Sequence, residues 1–104
     1  MPMHQPQSLE EYLDIIEQAQ FEVEDLLRCA EEEGDGLQEF GARIPIYQQL
    51  AAALDRLHAE VADGSHEFGN GQDLAMMPLV REWKTYIPFH GLIETINTVH
   101  RSGF

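Results

Sequence analysis

Apolar residues return on one face of a helix along four stretches of this chain, and glycine or proline separates each stretch from the next. In the first, Leu9, Ile16, Val23 and Ala30 occupy one heptad position and Tyr12, Ala19 and Leu26 the other core position. Leu13, Leu27, Ile15 and Cys29 flank that seam and widen it beyond a two-stranded contact, so this helix should meet more than one neighbour. Ser8 followed by Glu11 is a capping box in which hydroxyl and carboxylate each satisfy a free N–H of the first turn. Gly34 and Gly36 supply the stop. The pattern predicts a helix over 9–33.

Pro45 suits the first turn of a second helix, since its ring presets φ and its missing N–H would be unpaired there. Tyr47, Leu50, Leu54, Leu57 and Val61 follow at heptad spacing, with Ala51 and Ala53 beside them, until Gly64 ends a helix predicted over 46–62. Asp73 as a cap and Pro78 as an opener suggest a third helix over 74–86, with Leu79, Val80, Trp83, Tyr86 and Ile87 inward. Beyond Pro88, a fourth over 89–102 gathers Phe89, Leu92, Ile93, Ile96 and Val99 on one side. Gly103 and Phe104 read as a Schellman stop with Phe104 folded onto Val99. No stretch alternates with period two. The expected fold is all-α, a four-helix bundle or small orthogonal helical array, forming one domain over 8–104 behind a disordered tail over 1–7.

An internal echo crosses these elements. Leu26, Arg28, Glu32, Asp35, Gly36, Glu39, Phe40 and Gly41 recur 28 residues later as Leu54, Arg56, Glu60, Asp63, Gly64, Glu67, Phe68 and Gly69. The echo reads as scaffold: a helix stop, a turn and a phenylalanine that packs back on the core.

Charge changes the picture more than composition does. The 104 residues carry a formal net charge of −13, and residues 1–42 hold 12 of the 19 carboxylates against Arg28 alone. Glu10, Glu17, Glu24 and Glu31 share one position on the outer face of the first helix, with Glu11, Asp25 and Glu32 beside them. Such a field repels nucleic-acid phosphates and anionic membranes and favours a basic protein surface. Phe21 sits on the same outer face among Glu17, Gln18, Glu24 and Asp25, where an aromatic has no core to serve. It suits an anchor in a partner's pocket, with carboxylates meeting Arg or Lys around it; the alternative is cover by the N-terminal tail, by a loop phenylalanine such as Phe40 or Phe68, or by a second copy of the chain.

Specific chemistry finds less support. Glu31, Glu33, Asp35, Gly36 and Glu39 match early positions of a calcium loop, but Ala42 stands where the bidentate carboxylate belongs, and the echo replaces the first ligands with Ala59 and Val61. A helical-bundle metal site wants inward Glu-x-x-His pairs; the nearest approach is Asp55 with His58, joined in that reading by Cys29 or His100. The single cysteine forms no intrachain disulfide, which fits a reducing compartment, and its acidic neighbours disfavour a thiolate. The glycine pairs lack the Lys-Ser/Thr of a phosphate loop, and the three serines lack a nucleophile-elbow setting.

These readings converge on a cytoplasmic, non-enzymatic interaction protein that needs no cofactor. It would be an adaptor, regulator or inhibitor contacting a basic macromolecule through Glu10, Glu17, Phe21, Glu24, Asp25 and Glu31. Two alternatives remain beside it. One is a metal- or cofactor-binding bundle using Asp55 and His58; the other is a self-associating protein whose wide seam a second copy completes as a homodimer.

Overall fold

A computed structural model describes residues 6–33 and 38–103, with backbone alone for 33 and 38–42. Four α-helices and a 3-10 turn follow one another: α1 (Leu9–Glu33), α2 (Gln38–Ala62), α3 (Met77–Glu82), the turn Lys84–Tyr86, and α4 (His90–Ser102). No strand occurs among the described residues, and the chain is an all-α array.

α1 and α2 form an antiparallel hairpin whose register is visible in two cross-links. Gln20 Nε2 donates to Asp55 Oδ1 at 2.9 Å, and one turn earlier on α1 Glu17 Oε2 meets His58 Nε2 at 3.1 Å, one turn later on α2. α4 also runs antiparallel to α1, with Phe89 and Leu92 beside Gln18 and Glu22, and Ile96 beside Tyr12. The core therefore sits in the trough of the hairpin, lined by Ile16, Ala19 and Val23 from α1 and Leu50, Leu54 and Val61 from α2, and closed by Ile93, Ile96 and Val99. Each of the valine, leucine and isoleucine side chains contributes roughly 1.5–3 kcal/mol by leaving water.

The periodicity located this core well, with local departures. Ser8 Oγ accepts the Glu11 N–H at 3.2 Å, as the capping box expects, and Glu11 Oε2 accepts the Gln7 N–H at 3.4 Å. Leu9 is exposed, so the seam starts at Tyr12, and Cys29 is exposed rather than an apolar flank. Of the expected tail, residues 1–5 lie outside the described residues; Pro6 is buried.

α2 begins well before the predicted start at 46, and Pro45 lies inside it. An interior proline forfeits one helical hydrogen bond and costs about 3 kcal/mol, so contacts upstream must outweigh local preference. Ile44 packs on the core, and the Arg43 guanidinium stacks 4.0 Å above the Tyr86 ring. The internal echo consequently does not repeat in structure: Glu39, Phe40 and Gly41 are helical, whereas Glu67, Phe68 and Gly69 lie in a segment without regular secondary structure. The Asp35–Gly36 turn of the first copy lies outside the described residues.

At the other end of α2 the stop behaves as expected. Gly64 takes φ +82°, which a side chain would strain, while the Ser65 and His66 amides return to the Glu60 carbonyl at 3.0 and 3.1 Å. The third element is shorter than 74–86, because Trp83 leaves helical geometry and Ile87, ahead of Pro88, is extended at φ −121°, ψ 87°. Tyr86 accordingly turns outward and is exposed, its carbonyl accepting the Tyr47 hydroxyl at 2.8 Å. The α3 N-cap is Met76, without a side-chain cap; Asp73 is engaged elsewhere. Gly103 ends α4 at φ +81°, its N–H bonded to the Val99 carbonyl, and Phe104 lies outside the described residues.

Candidate functional site

The outer face of α1 divides the six residues expected to meet a partner. Phe21 projects from the middle of the helix with 65% of its surface exposed, beside a shallow groove of about 300 Å³ lined also by Glu24, Asp25, Leu27, Arg28 and Glu31. Helical spacing brings these together, since residues three, four and seven apart share a face. Leu27, half-buried against the core, gives the groove an apolar floor next to the phenyl ring. Glu17 is drawn sideways into its contact with His58. Glu10 stands in the first turn, about 16 Å along the axis from Phe21, where it complements the positive helix end.

Within the groove Arg28 is the one base, and it is committed. Its guanidinium holds Asp25 Oδ1 at 2.6 Å, and that hydrogen bond, with the Asp25 charge behind it, raises the Arg28 pKa. Both partners are more than half exposed, so the pair organises the surface more than it stabilises the fold. Glu24 and Glu31 remain as exposed carboxylates, both on the C-terminal side of the phenylalanine along the groove.

Asp55 and His58 do not converge on a metal position; each reaches across to α1, to Gln20 and Glu17. Among the described residues no group of three His, Cys, Asp or Glu side chains has metal-binding geometry. Nor is any described helix long and apolar enough to cross a membrane. A groove of about 510 Å³ lies between α2 and the segment before α3, with Leu57, Leu74 and Met76 in its walls. Its charges answer one another: Arg56 Nε bonds Glu60 Oε1 at 3.1 Å, and Glu60 Oε2 faces His66.

Two polar clusters escaped the sequence reading. Asn97 accepts the Leu74 N–H at 2.8 Å and donates to Asp73 at 2.9 Å; Asp73 also binds Arg81 at 2.8 Å and lies 3.5 Å from Arg101. These partners, Arg81 first and Asn97 second, lower the Asp73 pKa to about 2. His66 and His100 meet at 2.8 Å. The signal was present: Asn97 and His100 each stand four residues after a buried isoleucine, on the apolar stripe of α4.

Comparison of the chain with protein-family models, with curated proteins and with solved structures returns no match.

Proposed function

We propose that this chain is a non-enzymatic interaction protein of the cytoplasm, an adaptor, regulator or inhibitor, whose contact surface is the Phe21 groove of α1 and whose partner is a basic protein segment. The observation that carries the reading is Phe21, a large aromatic left 65% exposed beside an apolar floor and rimmed by Glu24, Asp25 and Glu31. Surface burial of such a ring supplies affinity, and the surrounding carboxylates supply steering and register. A second copy docking through the same face would set these carboxylates against their own images, so a partner of opposite sign suits the surface better.

The test is selection of linear peptides from a random displayed library on the native protein at low salt. Enriched peptides are expected to combine an aliphatic or aromatic residue with flanking Lys or Arg, and to weaken as salt rises. Phe21→Ala should reduce their affinity at least about tenfold, mainly through faster dissociation, with the unfolding midpoint unchanged. Glu24→Lys with Glu31→Lys should slow association instead. Peptides that bind both variants as they bind the parent, or that ignore salt, would overturn the proposal.

A further inference from the structure

The contact between His66 and His100 has a stoichiometry of its own. His66 Nε2 and His100 Nδ1 are 2.8 Å apart, with ring centroids separated by 4.8 Å. A hydrogen bond between two imidazole nitrogens needs one N–H and one lone pair, so a single proton occupies the contact. A backbone hydrogen bond with Gln72 favours the protonated form of His100, and whichever ring donates, the contact between the rings holds one proton.

The surroundings accommodate one positive charge and resist a second. Glu60 on α2, itself bonded to Arg56, places Oε2 3.8 Å from His66 Nδ1, so a charged His66 has a counterion. From the segment before α3, Asp73 acts on His100 at longer range, but its oxygens already serve Arg81 of α3 and Asn97 and Arg101 of α4. From α1, the face is closed by Tyr12, whose ring meets Phe68 edge-on as Phe68 in turn meets His66. The His66 side chain is only 7% exposed, and His100 only 8%. Burial first, and His66 second, hold the His100 pKa below its ordinary value.

The pair sits where the segment after α2 lies along the end of α4. Gly69 N–H bonds the His100 carbonyl at 2.9 Å and Gly71 N–H the Arg101 carbonyl at 3.0 Å. Gly69 has φ +80° there, a backbone conformation that side chains rarely adopt.

We propose that the His66–His100 contact is a proton-operated latch, closed while one proton lies between the rings and released when both rings are charged, freeing the segment around Gly69 and Gly71 from α4. The sign follows from which form binds the extra proton. His100 is neutral in the closed form and free to charge in the open one, so closure is complete above about pH 6.5 and weakens as pH falls. Released by one proton, the opening constant rises by up to about tenfold per pH unit below that range.

Native-state hydrogen exchange from about pH 7.5 to 4.5, corrected for intrinsic rates, reads this directly. Protection of the Gly69 and Gly71 amides is expected to fall by up to about tenfold per unit at the acid end, while the Leu50 and Leu54 amides of α2 hold level. Equal, pH-independent protection at Gly69 and Gly71 overturns the latch. In His66→Gln the amide can donate to His100 or, flipped, accept from it, so the segment should stay closed with its pH dependence flattened. Retention of the parent's pH dependence in that variant also overturns the latch. The ring resonances of the parent protein provide a check independent of any substitution: the His100 ring should titrate below the ordinary histidine range. A His100 titration at the ordinary value refutes the proposal.

Discussion

Tyr12→Ala is expected to lower the unfolding free energy by about 3–5 kcal/mol, the cost of emptying a large aromatic site in a core that cannot fully collapse. Tyr12 is completely buried, and three elements depend on it. It belongs to α1, its hydroxyl donates to the Ile96 carbonyl of α4 at 2.9 Å, and its ring packs edge-on against Phe68 at 5.2 Å. Burial also raises the pKa of the phenol, so the group stays neutral and keeps its proton for that bond. Against a total stability of about 5–15 kcal/mol for domains in general, the loss is severe, and the urea midpoint should fall by about 2 M. Tyr12→Phe keeps the ring and deletes the hydroxyl, and should cost about 1 kcal/mol. A Tyr12→Ala variant no less stable than Tyr12→Phe would show that the ring does not join these elements.

What was legible in the sequence, and what was not, separates along physical lines. Tyr47, Leu50, Leu54, Leu57 and Val61 are all buried because a long helix that turns one face to the core imposes a single period. The same holds for Leu92, Ile93, Ile96 and Val99 on α4. Pro45 misled because local preference weighs a proline's missing hydrogen bond and has no knowledge of Ile44 in the core or of Arg43 over Tyr86. The echoed Glu-Phe-Gly likewise takes one conformation as part of α2 and another against Tyr12, since tertiary contacts and not the tripeptide choose between them. On the outer face of α1, heptad spacing put Phe21, Glu24, Asp25 and Glu31 together, as they are found. It could not tell that Glu17 would turn toward His58, because that depends on the register of α2. Asn97 and His100 are polar residues on an apolar stripe, but their partners Leu74, Asp73 and His66 lie 23 to 34 residues away in a segment with no periodicity to place it.

That segment depends on Asn97. Asn97→Leu should cost about 2–3 kcal/mol, although leucine has the same branched heavy-atom outline as asparagine and suits the apolar stripe on which it would stand. The loss arises from what remains: the buried Leu74 N–H, 2.8 Å from Asn97 Oδ1 in the parent, would have no acceptor, and an orphaned buried donor costs about 1–3 kcal/mol. Asp73 would lose one of the donors that lower its pKa to about 2. The consequence has a definite sign. A carboxylate whose pKa is depressed on folding adds stability above its ordinary pKa near 3.8 and loses it as pH falls toward 2. With Asn97 gone, the Asp73 pKa moves back toward the ordinary value, and stability should fall less steeply over that acid range than in the parent. Urea unfolding at neutral pH and at intervals down to about pH 2 therefore reads both parts: a lower midpoint at neutrality, and two curves that draw closer as acid protonates Asp73. Parallel curves would mean that Asn97 supports Leu74 alone and that Arg81 and Arg101 hold the carboxylate without it.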